Sequence, residues 1–138
     1  MKSIPFILLS IFILSCKQTT TTPTGPKIGE EFELAYAQTI QIQGKTITIK
    51  FQNIAEDSRC PTGVICVWEG NAKIILTVAQ HDTSVNTTLQ PKELTFTGEG
   101  GIQYTVRLIS VSPYPNINER IKLEEYRIKL VVFSNEVF

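Results

Sequence analysis

Two of the three cysteines of this chain, Cys60 and Cys66, are separated by five residues that include Pro61 and Gly63. Proline presets one turn dihedral and glycine permits a positive one, so the chain can reverse here and bring the two sulfurs together. The chemistry open to such a pair is a disulfide, a soft-metal site or two free thiols. Soft-metal sites usually need four ligands at short spacings, and the chain has one histidine. The spacing therefore favours a disulfide, and we predict no metal site.

Three residues beside these cysteines are candidates for binding a partner: Arg59, Trp68 and Glu69. Trp68 follows Cys66 by two positions, so on an extended strand both side chains would point to the same face. The simplest role for Trp68 is to fill the core beside the disulfide, and the alternative is an exposed anchor for a partner. Arg59 either pairs with Glu69 across the cysteines, bonds loop carbonyls or recognises an acidic partner. A structural role for Arg59 is the simplest of these.

The pattern over residues 57–72, Asp-Ser-Arg-Cys-Pro-x-x-Val-x-Cys-x-Trp-x-Gly-x-Ala, resembles a signature found in small, largely uncharacterised bacterial lipoproteins and secreted proteins. The resemblance covers about sixteen residues and depends on the spacing of the cysteines, the tryptophan and the glycine. It implies a β-rich exported domain. It carries no catalytic activity over to this chain.

The amino terminus has the pattern of an export signal. Lys2 supplies a positive charge, and residues 4–14 form an almost unbroken apolar run. This run is shorter than the about 20 residues of a membrane-spanning helix and has the right length for the core of a signal peptide. It ends at Ile-Leu-Ser-Cys, which resembles the lipobox of bacterial lipoproteins and implies cleavage before Cys16 and lipidation of that residue. We predict a signal peptide over residues 1–15; the alternative is a plain secretory signal with an incidental cysteine.

The cysteine count agrees with a lipoprotein. Three is an odd number for an exported protein, and an unpaired cysteine there needs an explanation. Lipidation of Cys16 accounts for one and leaves Cys60 and Cys66 to pair in an oxidising compartment. By resemblance to the sorting rule of bacterial lipoproteins, Lys17 in place of an aspartate favours the outer membrane. The membrane, reached through the lipid anchor, is therefore the first predicted partner.

The rest of the chain divides into a tether and one domain. Residues 16–26 hold the lipidated cysteine and a run rich in threonine and proline with nothing apolar to bury. Residues 27–138 number roughly a hundred, which is enough for one hydrophobic core. We predict a single β domain there.

Period-two alternation of apolar residues dominates this domain. Residues 40–42 and 47–51 alternate on either side of a turn at Gly44 and Lys45, which predicts a hairpin. The other predicted strands cover residues 32–36, 64–68, 72–79, 84–89, 94–97, 102–112 and 126–132. We expect 72–79 to be a central strand covered on both faces and 84–89 to be an edge strand, with at most one helical turn over 119–125. The fold class is all-β: an antiparallel β-sandwich or a partly open barrel of about eight short strands.

Residues that could carry catalysis are few. His81, the sole histidine, lies in a polar turn, and the chain has no nucleophile elbow. Glu56 and Asp57 are acids without the spacing of a calcium loop, and we interpret them as turn residues. No glycine-rich phosphate loop is present, and 13 basic residues balance 13 acidic ones, so nothing points to nucleic acid. We predict no enzymatic activity and no cofactor.

These observations leave three hypotheses for function. The first is a lipid-anchored domain of the bacterial cell envelope that binds a protein or a glycan, or has a purely structural role. The alternative is an inhibitor of secreted proteases that uses a rigid loop at residues 60–66 or 114–118. The third is a small hydrolase that uses Glu56, Asp57 and Glu69, which would require these acids to be paired at a defined separation.

Overall fold

The computed structural model describes residues 25–80, 83–88 and 92–136. The predicted signal peptide, Cys16 and most of the tether lie outside these residues, as does His81. No helix within the described ranges is long and apolar enough to cross a membrane.

Eight strands make up the described part of the domain. In chain order they are β1 (Glu31–Ala35), β2 (Thr39–Gln41), β3 (Ile47–Asp57), β4 (Ala72–Gln80), β5 (Thr83–Thr88), β6 (Glu93–Thr97), β7 (Gln103–Ser112) and β8 (Arg127–Ser134). They form two four-stranded sheets, one in the order β1-β8-β7-β6 and the other in the order β2-β3-β4-β5. All neighbouring strands are antiparallel. The predicted all-β antiparallel fold is confirmed, and of the two architectures left open the structure has the sandwich.

The core lies between the two sheets and follows from the alternation of apolar residues. Every second residue of a strand points to the same face, so a strand that alternates can bury one complete row of side chains. The largest fully buried side chains come from both sheets and are Leu34, Ile42, Ile47, Ile49, Phe51, Ile74, Leu76, Val106, Ile128, Leu130 and Val132. The predicted hairpin is confirmed, because β2 pairs with β3 with Ile40 opposite Ile49.

The structure differs from the predicted strands in two places. β3 continues past Phe51 to Asp57 with two register shifts against β4. Such bulges interrupt the alternation of apolar and polar residues, so the sequence pattern ends at Phe51 although the strand continues to Asp57. The predicted strand over residues 64–68 is wrong: these residues lie in the loop between β3 and β4.

Two finer predictions have mixed outcomes. β4 is central in its sheet, as expected, but it is covered on one face only, because burial alternates along it and Ile75 is half-buried. β5 lies at the edge of the same sheet, which confirms the predicted edge strand. The single helical turn expected over 119–125 is a short 3-10 turn at Leu123–Glu125.

The long strands define two ends of the sandwich. β3 has eleven residues, and at about 3.3 Å per residue it spans about 30 Å between Ile47 and Asp57. The described chain starts at the Ile47 end, where the Pro26 carbonyl accepts a hydrogen bond of 2.9 Å from the Gln43 amide. The loop of residues 58–71 leaves β3 at the Asp57 end. The chain therefore enters the domain at one end and presents this loop at the other.

Candidate functional site

The loop of residues 58–71, which we call the stapled loop, is closed by a disulfide. Cys60 and Cys66 are joined with a Cα–Cα distance of 5.9 Å, which confirms the predicted pairing. The Cys60 amide also donates a hydrogen bond of 2.7 Å to the Glu69 carbonyl. Covalent and hydrogen-bonded closure together fix where the outer part of the loop begins and ends.

Glycine is needed at the base of the stapled loop. Gly70 has a φ of +70°, and a Cβ there would lie 1.7 Å from the Ser58 carbonyl oxygen. The left-handed backbone and the close approach both exclude a larger residue. Beside it, the Ser58 amide donates a hydrogen bond of 2.8 Å to the Asn71 carbonyl. The two sides of the loop therefore meet without space between them.

Removal of the disulfide is expected to lower the free energy of unfolding by about 2 kcal/mol, because a loop this short restricts the unfolded chain only modestly. The double variant Cys60→Ser, Cys66→Ser and the reduced wild type should show the same shift in urea unfolding. Equal stability of the oxidised and reduced wild type would contradict this prediction.

Arg59 is bonded into the domain. Its Nε and Nη2 atoms donate to Asp57 Oδ1 and Oδ2 at 2.8 and 2.7 Å. Nη1 donates to the Val111 carbonyl at 2.6 Å, and Nη2 also donates to the Pro113 carbonyl at 2.9 Å. The guanidinium carbon lies 5.0 Å from the centre of the Tyr114 ring, and the side chain is 11% exposed. Of the roles open to Arg59, bonding to loop carbonyls is the one this geometry shows, so a direct contact with a partner remains only a prediction.

Asp57 and Tyr126 complete this cluster, and we call Asp57, Arg59 and Tyr126 the clamp. The Tyr126 hydroxyl donates a hydrogen bond of 2.9 Å to Asp57 Oδ2. Burial opposes ionisation of Asp57, but the hydrogen bonds from Arg59 and Tyr126 outweigh it and lower the pKa of Asp57. Burial, and then the bond to Asp57, raise the pKa of Tyr126 to about 12. At neutral pH the clamp is thus an ion pair with a neutral phenol, which ties the loop base to the other sheet.

The clamp predicts a loss of stability at alkaline pH. The pKa of Tyr126 is about 12 in the folded protein and about 10 in an unfolded chain. The folded state holds this proton more tightly, so the stabilisation is complete below about pH 10 and is lost as the pH rises through about 12. Urea unfolding between these pH values should show a smaller decrease for Tyr126→Phe than for the wild type. Identical slopes for the two proteins would contradict the prediction.

The outer part of the stapled loop presents apolar side chains to solvent. Ile65 is 103% exposed, Val67 90%, Trp68 79% and Val64 47%; we call these four residues the apolar tip. The prediction that Trp68 fills the core beside the disulfide is wrong. Residues 64–68 do not form a strand, so no sheet face carries Trp68 inward. Trp68 is instead an exposed aromatic residue on a constrained loop, as the alternative interpretation of an exposed anchor requires.

The connection between β7 and β8 contacts the stapled loop. The Thr62 amide donates a hydrogen bond of 3.0 Å to the Pro115 carbonyl. A Cβ on Gly63 would lie 3.5 Å from the Ile117 side chain, so that side chain packs close to the Gly63 backbone. Tyr114 and Ile117 are themselves 52% and 55% exposed and enlarge the apolar surface. The stapled loop, which carries the apolar tip, is therefore connected to both sheets: it joins β3 to β4 and contacts the segment between β7 and β8.

A groove of about 710 Å³ lies beside the stapled loop. Glu69 and Asn71 line it on the loop side, and Lys92, Ile109 and Tyr114 line it on the other. Glu69 is exposed, and none of the described residues donates a hydrogen bond to its carboxylate. The predicted option of an Arg59–Glu69 pair is not realised. Glu69 is thus a charge at the edge of the apolar tip that remains open to a partner.

The two acids that precede the stapled loop, Glu56 and Asp57, each bond a different basic side chain. Glu56 Oε2 accepts a hydrogen bond of 2.7 Å from Lys73, which lowers the pKa of Glu56, while Asp57 bonds Arg59. Neighbouring residues of a strand point to opposite faces, so these two carboxylates do not converge. Within the ranges described, no cluster of three or more histidine, cysteine, aspartate or glutamate side chains is placed to hold a metal ion.

The structure brings the predicted site residues into one loop but gives them different environments: Arg59 is enclosed, whereas Trp68 and Glu69 are exposed. The sequence analysis missed Ile65 and Val67. The signal for Ile65 was available, because a ring closed by two cysteines so near in sequence is too small to bury its own side chains. Val67 lies one position outside that ring and is exposed beside it. Comparisons of the chain with protein-family models, with curated proteins and with solved structures found no match.

Proposed function

We propose that this chain is a lipid-anchored domain of the bacterial cell envelope that acts by binding a macromolecule, and that the apolar tip of the stapled loop is its contact surface. The anchor rests on the signal-peptide pattern and the lipobox at Cys16. The observation that carries the binding role is the exposure of Ile65, Val67 and Trp68 on a loop closed at its base.

Exposure of this kind has a physical cost that a partner would remove. Contiguous apolar side chains on a surface mark sites of interaction, and tryptophan is enriched among the residues that dominate binding energy. The disulfide and the hydrogen bonds of the loop base hold the tip in place before binding. A preformed loop loses less conformational entropy on association than a flexible one. The geometry therefore supports recognition at the tip.

Site-specific photo-crosslinking in intact cells tests this proposal. A photoreactive phenylalanine analogue at position 65 leaves the fold undisturbed, because the Ile65 side chain is fully exposed. The matched control carries the analogue at Phe133, which is 37% exposed on β8 and stacks with Arg107. We expect an adduct at position 65 that is absent at 133. Absence of any adduct at 65, or equal adducts at both positions, would overturn the proposal.

A second candidate, inhibition of a secreted protease, is favoured by the position of two apolar residues within the disulfide ring. Val64 and Ile65 lie inside the disulfide ring and point outward, where the cleft of a protease would enclose them. An inhibitor should slow at least one envelope or secreted protease at stoichiometric amounts, and Ile65→Asp should abolish the effect. No inhibition across a protease panel at high molar excess would remove this candidate.

A further inference from the structure

The tether and the apolar tip lie at opposite ends of the sandwich. Pro26 is bonded to Gln43, and a Cβ on Gly25 would lie 1.7 Å from the Gln41 carbonyl oxygen. These contacts hold the start of the described chain beside the turn that joins β2 to β3. The stapled loop begins only after β3 has crossed the domain, a distance of about 30 Å.

The length of the tether limits where the tip can go. Eight residues lie between Cys16 and Gly25. Fully extended, the nine Cα–Cα steps reach at most about 30 Å. For the tip to face the membrane that holds Cys16, the first described residues would have to lie about 30 Å from that membrane, which is the full reach of the tether. The tip is therefore directed away from the anchoring membrane for most orientations of the domain.

The chemistry of the tip also argues against a lipid surface. Residues 60–68 contain no charged side chain, whereas segments that lie on membranes set lysine or arginine beside their apolar residues. The next residue is Glu69, which an anionic leaflet would repel. Arg59 offers little compensation, since Asp57 and backbone carbonyls already occupy four of its five N–H donors.

A glycan is an equally poor match for the tip. Isoleucine and valine side chains have no hydrogen-bond donor or acceptor, and pockets that select polar ligands place polar groups to fix orientation. Ile65, Val67 and Trp68 instead match an apolar cleft on a protein. Glu69, open at the edge of the groove, matches a positively charged side chain at the rim of such a cleft.

We infer that the apolar tip is occupied by a protein that lies on the side of the domain away from the anchoring membrane, and that this protein has an apolar cleft with a cationic group at its rim. The inference rests on the proposed function, because it takes the anchor at Cys16 and the contact at the tip as given. It adds the class of the partner and the side from which the partner approaches.

Trp68 reports directly on the lipid alternative, because it is the only tryptophan in the chain. The full-length lipidated protein is reconstituted in vesicles of phosphatidylethanolamine and phosphatidylglycerol whose acyl chains are brominated. We expect Trp68 fluorescence to be quenched by acrylamide in the aqueous phase and unchanged by the brominated chains. Quenching by the brominated lipid with a blue-shifted emission would overturn the inference.

The identity of the adduct at position 65 tests the class of the partner and the role of Glu69. We expect a protein adduct whose yield falls several-fold in a Glu69→Gln background, while Glu33→Gln, an exposed acid on β1, leaves the yield unchanged. A lipid or glycan adduct at position 65, or a protein adduct insensitive to Glu69→Gln, would overturn the inference and leave binding at the tip intact. Absence of any adduct would instead remove the proposed function, so the two failures are distinguishable.

Discussion

Trp68→Ala is expected to weaken binding of the protein partner by at least about 30-fold, which corresponds to the about 2 kcal/mol that defines a dominant contact residue. The free energy of unfolding should stay within about 0.5 kcal/mol of the wild type, because substitutions of exposed side chains change stability little and Trp68 is 79% exposed. Titration calorimetry with the partner identified by cross-linking measures the first quantity, and urea unfolding measures the second.

The separation of affinity from stability is the decisive feature of this prediction. Leu123→Ala, at an apolar side chain that is 37% exposed outside the stapled loop, serves as the control and should bind the partner as the wild type does. An unchanged affinity for Trp68→Ala would refute the tip as the contact surface. A parallel loss of stability would show instead that Trp68 contributes to the packing of the loop.

Arg59→Ala is expected to lower the free energy of unfolding by about 3 kcal/mol. Removing one partner of a fully buried ion pair leaves an uncompensated charge, which typically costs about 3–5 kcal/mol; the Arg59–Asp57 pair is partly buried. We place the effect at the lower end because the Arg59 and Asp57 side chains keep 11% and 10% exposure. The same change removes the donors to the Val111 and Pro113 carbonyls. Urea or thermal unfolding measures the loss.

Two further variants separate charge from geometry. Arg59→Lys keeps the charge but loses the planar pair of donors that bonds both oxygens of Asp57, so its stability should be intermediate. Lys73→Ala breaks the exposed pair with Glu56, whose side chains are 35% and 48% exposed, and should destabilise the protein much less than Arg59→Ala does. Equal effects of Arg59→Ala and Lys73→Ala would show that the clamp has no special role.

The sequence determined those features that depend on residues close together in the chain. The β class and the β2–β3 hairpin follow from period-two alternation around Gly44, and each strand carries that pattern itself. The Cys60–Cys66 disulfide follows from a spacing that includes a proline and a glycine. In each case the physical cause lies within about ten residues, so it can be recognised before the fold is known.

Only the tertiary structure decided which side chains of the stapled loop are enclosed and which are exposed. Arg59 donates hydrogen bonds to carbonyls 52 and 54 residues away, and Asp57 accepts one from a hydroxyl 69 residues away. No local pattern contains these partners. Trp68, a residue type that usually fills cores, lies outside because β3 ends at Asp57 and the chain leaves the sheet before reaching it. Burial depends on what the rest of the chain places opposite a residue, and the composition of a segment does not record that.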